Sequence, residues 1–226
     1  VTSMKPMDRA VLPAWFTQAG GDHRRVFVYV HGFNTRFDRA VFRMAQLTYD
    51  SDVNAAPVLY SWPSRGQVLD YRRDLDNASY SRSDLANLLE VASNSSAVDE
   101  IVILAHSMGS WVAVEALRQI ALEKGGVPPK ITNLILASPD LDIGVFRRQV
   151  QEMGQSRPSI TLFVSQADRA LRLSAVLSRG ATRLGSVDLE NENYRRDLGD
   201  LDGVTVLDLT ALKSGDRINH SVYAKS

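Results

Sequence analysis

Short runs of β-branched and aromatic residues alternate along this chain with longer stretches whose apolar positions recur every third or fourth residue. "RVFVYVHG" (25–32) is continuous and apolar and closes on glycine, the form of a strand buried on both faces. The stretch 36–49 predicts a helix, because Phe37, Val41, Met44 and Thr48 recur at helical spacing and Ala40 and Leu47 widen that face. "APVLYSWP" (56–63) returns to strand character and ends at Pro63. A long polar stretch from Gln67 to about Ala92 reads as helix, with Leu85, Leu88, Leu89 and Val91 giving an apolar face near its end. "EIVILAHS" (100–107) is the third strand. The helix expected from Met108 to about Glu123 buries Ala113, Ala116, Leu117 and Ile120, and Gly125, Gly126 and Pro128 stop it.

"KITNLILASPD" (130–140), "SITLFVSQAD" (159–168) and "GVTVLDLT" (203–210) supply further strands, with a helix around Gly144 to Met153 between the first two of them. Strands alternating with helices, joined without hairpin dipeptides, predict an α/β fold with a mainly parallel sheet and helices on both faces. No internal repeat, low-complexity tract or linker divides the 226 residues, so one domain over 1–226 is expected.

In such a sheet, ligands gather at the carboxyl ends of the strands. Those ends read His31-Gly32-Phe33-Asn34, Ser61-Trp62-Pro63, His106-Ser107-Met108-Gly109, Ser138-Pro139-Asp140, Ser165 to Asp168, and the segment beyond Leu209 that holds His220. Ser107 stands where strand becomes helix. A turn sharp enough to present one side chain there needs small residues two positions before and after it, and these are Ala105 and Gly109. The helix N-terminus behind Ser107 offers N–H groups and a partial positive charge to a developing oxyanion. A serine that merely caps this helix is the plainer alternative.

A serine nucleophile needs a base within hydrogen-bond reach. Of the four histidines, His23 precedes its strand and so belongs to the opposite edge of the sheet, about 20 Å away. His106 is adjacent to Ser107, where side chains diverge, and reads as a packed elbow residue. His31 precedes Gly32, where a role in the turn is more natural. His220, in a loop beyond the last strand, is free to reach over the strand ends. Such a base needs a buried carboxylate to fix its tautomer. Asp168 leads; Asp140 and Asp142 are rivals that otherwise cap the next helix, and Asp208 and Asp216 are less well placed. The second oxyanion donor comes from the loop after the first strand, so the backbone N–H of Phe33 joins that of Met108.

Charge narrows the partners. Lysine plus arginine (26) equals aspartate plus glutamate (26), so no net field draws nucleic acid or an anionic membrane to the chain. No apolar run approaches the roughly 18 residues that span a bilayer. The absence of cysteine removes disulfides, thiol nucleophiles and thiolate metal sites without assigning a compartment. The chain opens on Val1, consistent with removal of an upstream segment, and both a cytoplasmic and an exported location stay open.

Taken in order, "VYVHGFN", "AHSMG", "SQADRAL" and "INHSVY" resemble the α/β-hydrolase superfamily and, more narrowly, a bacterial α/β-hydrolase family of unknown function with esterase- and lipase-like character. "SWPSRG" and "ASPDLD" fall between these segments in that family's order, and the resemblance runs from about 24 to 224. It implies a three-layer α/β/α hydrolase fold, a triad of Ser107, Asp168 and His220, an anion site completed at Phe33, and no cofactor or metal. Two features depart from the fold's usual pattern: strands before "RVFVYV" are not obvious, and only 221–226 follow His220.

The expected activity is hydrolysis of a small-molecule carboxylic ester with a small or medium acyl chain, through an acyl-enzyme. A thioesterase, lactonase, amidase or acyltransferase would use the same parts, and a non-catalytic lipid- or partner-binding protein on this scaffold is the reading from a different class. Residues 141–158 leave room for little more than one helix, so little or no cap domain is expected. Candidate pocket walls are His31, Asn34, Trp62, Tyr71, Tyr80, Leu171, Leu173 and Leu177, for which outer-face packing is an equal alternative. Arg65, Arg72, Arg73 and Arg82 read as a solvated helix face rather than an anion site.

Overall fold

The computed structural model describes residues 7–19, 24–52, 54–65, 67, 70–177, 182–212, 220 and 223. The strands are β1 (Arg25–Val30), β2 (Ala56–Tyr60), β3 (Glu100–His106), β4 (Ile131–Ala137), β5 (Ser159–Val164) and β6 (Val204–Asp208). They form one six-stranded sheet in the order β2-β1-β3-β4-β5-β6. Every pairing is parallel, with Val30 opposite Ala105 and His106 opposite Ala137, so the carboxyl ends of the central strands share one edge. Parallel neighbours require crossovers, and the helices supply them: α1 (Leu12–Ala19), α2 (Phe37–Asp50), α3 (Tyr71–Asn94), α4 (Gly109–Lys124), α5 (Ile143–Met153), α6 (Arg169–Leu177) and α7 (Glu192–Gly199).

The sheet's alternation sorts the core into two layers. Val26, Val28, Val30, Ile101, Ile103, Ala105, Leu134 and Leu136 face one side, where they pack with Phe16 of α1 and the buried residues of α3, α4 and α5. Phe27, Tyr29, Leu104 and Ala137 face the other side with Met44 of α2 and Tyr223. The predicted stripe of α4 holds: Ala113, Ala116, Leu117 and Ile120 are fully buried. Truncating Leu117 there to alanine would cost about 2–5 kcal/mol. Gly125 ends α4 in the left-handed conformation (φ 79°), donating its N–H to the carbonyl of Ala121.

Several expectations need correction. The apolar face of α2 is narrower than its periodicity suggests, because Phe37 at the first helical position is half exposed and only Ala40 and Met44 are buried. In α3 the half read as polar is also a buried face. Tyr71, Asp74, Ala78 and Ser81 continue the spacing of Leu85, Leu89 and Ala92, and Asp74 is buried because Ser64 Oγ (2.7 Å) and the Arg65 N–H (3.1 Å) bond its carboxylate. The helices α1, α6 and α7 were not read from the pattern. Between β4 and β5 stands the single helix α5, and among the described residues no strand precedes β1.

Candidate active site

The turn between β3 and α4 consists of Ser107 and Met108. Ser107 has a φ of 52°, in the left-handed region that disfavours a side chain, and three backbone hydrogen bonds hold it there. Its N–H donates to Ala137 O (3.0 Å), and its carbonyl accepts from Ser110 N–H (3.0 Å) and Asp140 N–H (3.2 Å). Glycine is required two residues later: a Cβ on Gly109 would lie 2.4 Å from His31 O and 2.6 Å from Val30 O, so α4 meets β1 backbone to backbone. Gly32 fills the other side of the turn, where a Cβ would stand 2.8 Å from Ser107 Cβ and 2.9 Å from His106 Nδ1. The loop after β1 and the serine turn are therefore in van der Waals contact. Met108 is fully buried at the N-cap of α4, and Phe33 starts the turn in which Asn34 has a φ of 55°.

His220 reaches this edge. Its Nδ1 lies 2.7 Å from Asp168 Oδ2, and the other oxygen, Oδ1, accepts the N–H of Leu171 (3.1 Å) in the first turn of α6. Asp168 is fully buried, and its carboxylate fixes the proton on Nδ1 of the neutral imidazole, leaving Nε2 as the basic nitrogen. The ring of His106 sits 4.6 Å from that of His220 and 4.8 Å from Tyr223, centroid to centroid. His106 Nε2 lies 3.1 Å from the carbonyl of His220; a carbonyl only accepts, so His106 carries its proton on Nε2. Burial pushes the His106 pKa well below 6.5, with the positive potential of His220 adding to it.

The rival carboxylates are engaged elsewhere. Asp140 accepts from Tyr71 OH (3.0 Å) and Ser174 Oγ (2.6 Å), and Asp142 caps α5 through the Val145 N–H (3.0 Å). Asp208 is exposed at the end of β6 and accepts the Thr210 N–H. His23 and Asp216 lie outside the described residues.

Residues 10–226 match the family model described as "Alpha/beta hydrolase of unknown function (DUF900)". The chain belongs to this family. Uncharacterized protein alr1448 of Nostoc sp. (strain PCC 7120 / SAG 25.82 / UTEX 2576) is 39% identical to this α/β hydrolase over 61 residues, 27% of this chain and 16% of the Nostoc protein. An uncharacterized protein from Bacillus cereus ATCC 10987 superposes with a TM-score of 0.51 at 13% identity, covering 96% of this chain and 59% of that one. The siderophore hydrolase EstB from Aspergillus nidulans superposes with a TM-score of 0.50 at 15% identity, over 90% of this chain and 79% of that one. The chain thus spans less than two thirds of the Nostoc and Bacillus proteins, and at these identities the two structural likenesses are of fold.

Of the pocket candidates in this α/β hydrolase, His31 and Trp62 are both buried and pack on each other, rings stacked 5.2 Å apart, with Trp62 Nε1 donating to His31 O (2.7 Å). His31 Nδ1 lies 2.9 Å from Gly32 O and Nε2 3.2 Å from Ser61 Oγ; burial lowers its pKa, although hydrogen bonding to the backbone of Gly32 and Trp62 and the charge of Asp74 oppose the shift. Tyr71 and Leu171 are buried, Asn34 is exposed, and Tyr80 is 83% exposed and so lines nothing. The side chains of Leu173 and Leu177 lie outside the described residues. Arg65, Arg72 and Arg73 are exposed, and Arg82 donates to Ser79 O, which fits a solvated face. Sequence reasoning missed Ser174 and Arg183, both polar residues that are buried through partners distant in the chain. Among the described residues no helix is long and apolar enough to cross a membrane.

Proposed function

We propose that this α/β hydrolase is a serine hydrolase that cleaves a carboxylic ester of small or medium acyl chain through an acyl-enzyme, and that 1–226 acts as one domain. The observation that carries the reading is the 2.7 Å bond from His220 Nδ1 to Asp168, made by an imidazole packed against the residue preceding Ser107.

Ser107 Oγ attacks the ester carbonyl while His220 Nε2 takes its proton. Asp168 holds the ring and stabilises the imidazolium. The carbonyl oxygen becomes an oxyanion and accepts from the backbone N–H groups of Met108 and Phe33, the first of these at the N-terminus of α4. The C–O bond then breaks, the alkoxide leaves with the proton from His220, and water activated by the same nitrogen releases the acid and restores Ser107. The strained backbone at Ser107 supports this role, since a serine needed only as a helix cap has no reason to sit at a positive φ.

Labelling with a fluorophosphonate, with Ser107→Ala alongside, tests the reading, followed by a chain-length series of p-nitrophenyl esters. The expected result is one serine adduct in the wild type, none in Ser107→Ala, and turnover that falls with long acyl chains. A wild type that takes no label would move the assignment to a binding protein on a hydrolase scaffold; an adduct without ester turnover would move it to acyl transfer.

A further inference from the structure

A second buried polar cluster lies beside the serine turn and takes no part in the chemistry above. Asp140, Tyr71, Ser174 and Arg183 are 4%, 5%, 5% and 8% exposed, so all four are buried. Asp140 Oδ2 accepts from Tyr71 OH (3.0 Å), and its Oδ1 accepts from Ser174 Oγ (2.6 Å) and lies 3.2 Å from Arg183 Nε. Ser174 Oγ and Tyr71 OH are themselves 2.8 Å apart. A buried ion pair contributes little net stability compared with apolar residues of the same volume, so stability alone does not explain a charge here.

What the cluster joins explains it better. The N–H of Asp140 donates to Ser107 O (3.2 Å), which ties Asp140 to the serine turn. The ring of Tyr71, anchored by its hydroxyl on the same carboxylate, meets the ring of Phe33 edge to face at 5.3 Å. Ser174 stands in α6, whose first turn is capped by Asp168. The loop at 31–34 and the turn at 107–108 are far apart in the chain, and no covalent link sets their separation.

The geometry points to Asp140 as a positioning residue that, with Tyr71 as its lever, holds the Phe33 loop and the Ser107 turn at a fixed separation. The catalytic consequence rests on the hydrolase reading: the two oxyanion donors sit one on each of these segments, and their spacing must match a single oxygen atom. The holding itself does not depend on that reading.

Tyr71→Phe removes one hydroxyl and keeps the ring, and Asp140→Asn keeps the shape and removes the charge; Val150→Ala, in the buried face of α5, serves as a control for lost stability alone. With p-nitrophenyl acetate, and rates divided by the fraction of serine labelled, Tyr71→Phe is expected to lower kcat about 10-fold and Asp140→Asn about 100-fold, with KM within about 2-fold. Val150→Ala should lower Tm and leave kcat per labelled serine unchanged. Hydrogen exchange is the second readout: in Asp140→Asn, peptides containing Phe33 and Met108 should both exchange faster, and in Val150→Ala neither should. Unchanged kcat per labelled serine in both cluster variants, or faster exchange confined to the Asp140 peptide, would overturn the proposal. A wild type that neither labels nor turns over, yet shows the coupled exchange, would remove the hydrolase reading and leave the positioning role standing.

Discussion

His220 Nδ1 and Asp168 Oδ2 lie 2.7 Å apart, although the two residues are 52 positions apart in the chain. The same carboxylate caps α6 through the Leu171 N–H, so it has two duties, and a substitution can separate them. In Asp168→Asn the carbonyl oxygen still accepts one of these bonds, while an amide directed at the imidazole favours the wrong tautomer. Asp168→Asn is expected to lower kcat about 10³–10⁴-fold with little change in stability, whereas Asp168→Ala should lose the cap as well, about 1 kcal/mol. Steady-state ester hydrolysis and urea unfolding of the two variants check this.

Ser107 presents a contest between geometry and stability. Its φ of 52° strains any residue that has a Cβ, by about 1–2 kcal/mol. Glycine relieves that strain and gives back about 0.5–1 kcal/mol through the freedom it adds to the unfolded chain. Ser107→Gly should therefore be more stable than Ser107→Ala by about 0.5–1 kcal/mol, with both inactive. A Ser107→Gly less stable than Ser107→Ala by about 0.5–1 kcal/mol would show that the backbone there carries no strain.

Two glycines flank the serine turn, and their substitutions should fail in different ways. A Cβ on Gly109 would meet backbone oxygens at 2.4 and 2.6 Å, and neither can move without parting α4 from β1. Gly109→Ala should cost about 3 kcal/mol or more, read as loss of soluble protein or a large fall in Tm. A Cβ on Gly32 would press instead on Ser107 Cβ and His106 Nδ1. Gly32→Ala should fold, lose less stability than Gly109→Ala, and lower kcat at least about 10-fold by displacing the nucleophile.

The strands and the serine turn were legible because each rests on a local constraint. A buried parallel strand needs a continuous apolar run, as "EIVILAH" shows, and the turn needs a residue as small as Gly109. The first half of α3 was opaque because its inner face uses Asp74 and Ser81, which are polar by composition and buried only through partners that hydropathy does not reveal. The assignment of Asp168 rather than Asp140 to the histidine follows strand order, which the sequence expectation could rank but not decide. Arg183 was invisible for a related reason: its neighbours Tyr71 and Asp140 lie 112 and 43 positions away, and only the folded sheet brings them together.

His106 makes the fold sensitive to acid. It is half-buried against the rings of Tyr223 and His220, and desolvation, with the neighbouring His220, Arg43 and His31 adding positive potential, sets its pKa well below 6.5; the hydrogen bond to the His220 carbonyl opposes this only in part. In the unfolded chain the same ring titrates near 6.5. The unfolded state therefore binds a proton that the folded state refuses. The stability this contributes is complete above about pH 6.5 and is lost as pH falls below that value, at up to ~1.4 kcal/mol per pH unit until the folded pKa is reached. His31, lowered in the same direction, adds to the slope. Between pH 7.5 and 5 the wild type should lose up to about 2 kcal/mol through His106, and His106→Asn should lose less over the same interval, whatever its stability at pH 7.5. Urea unfolding at both pH values gives the two differences, and equal differences would mean that folding leaves the proton affinity of His106 unchanged.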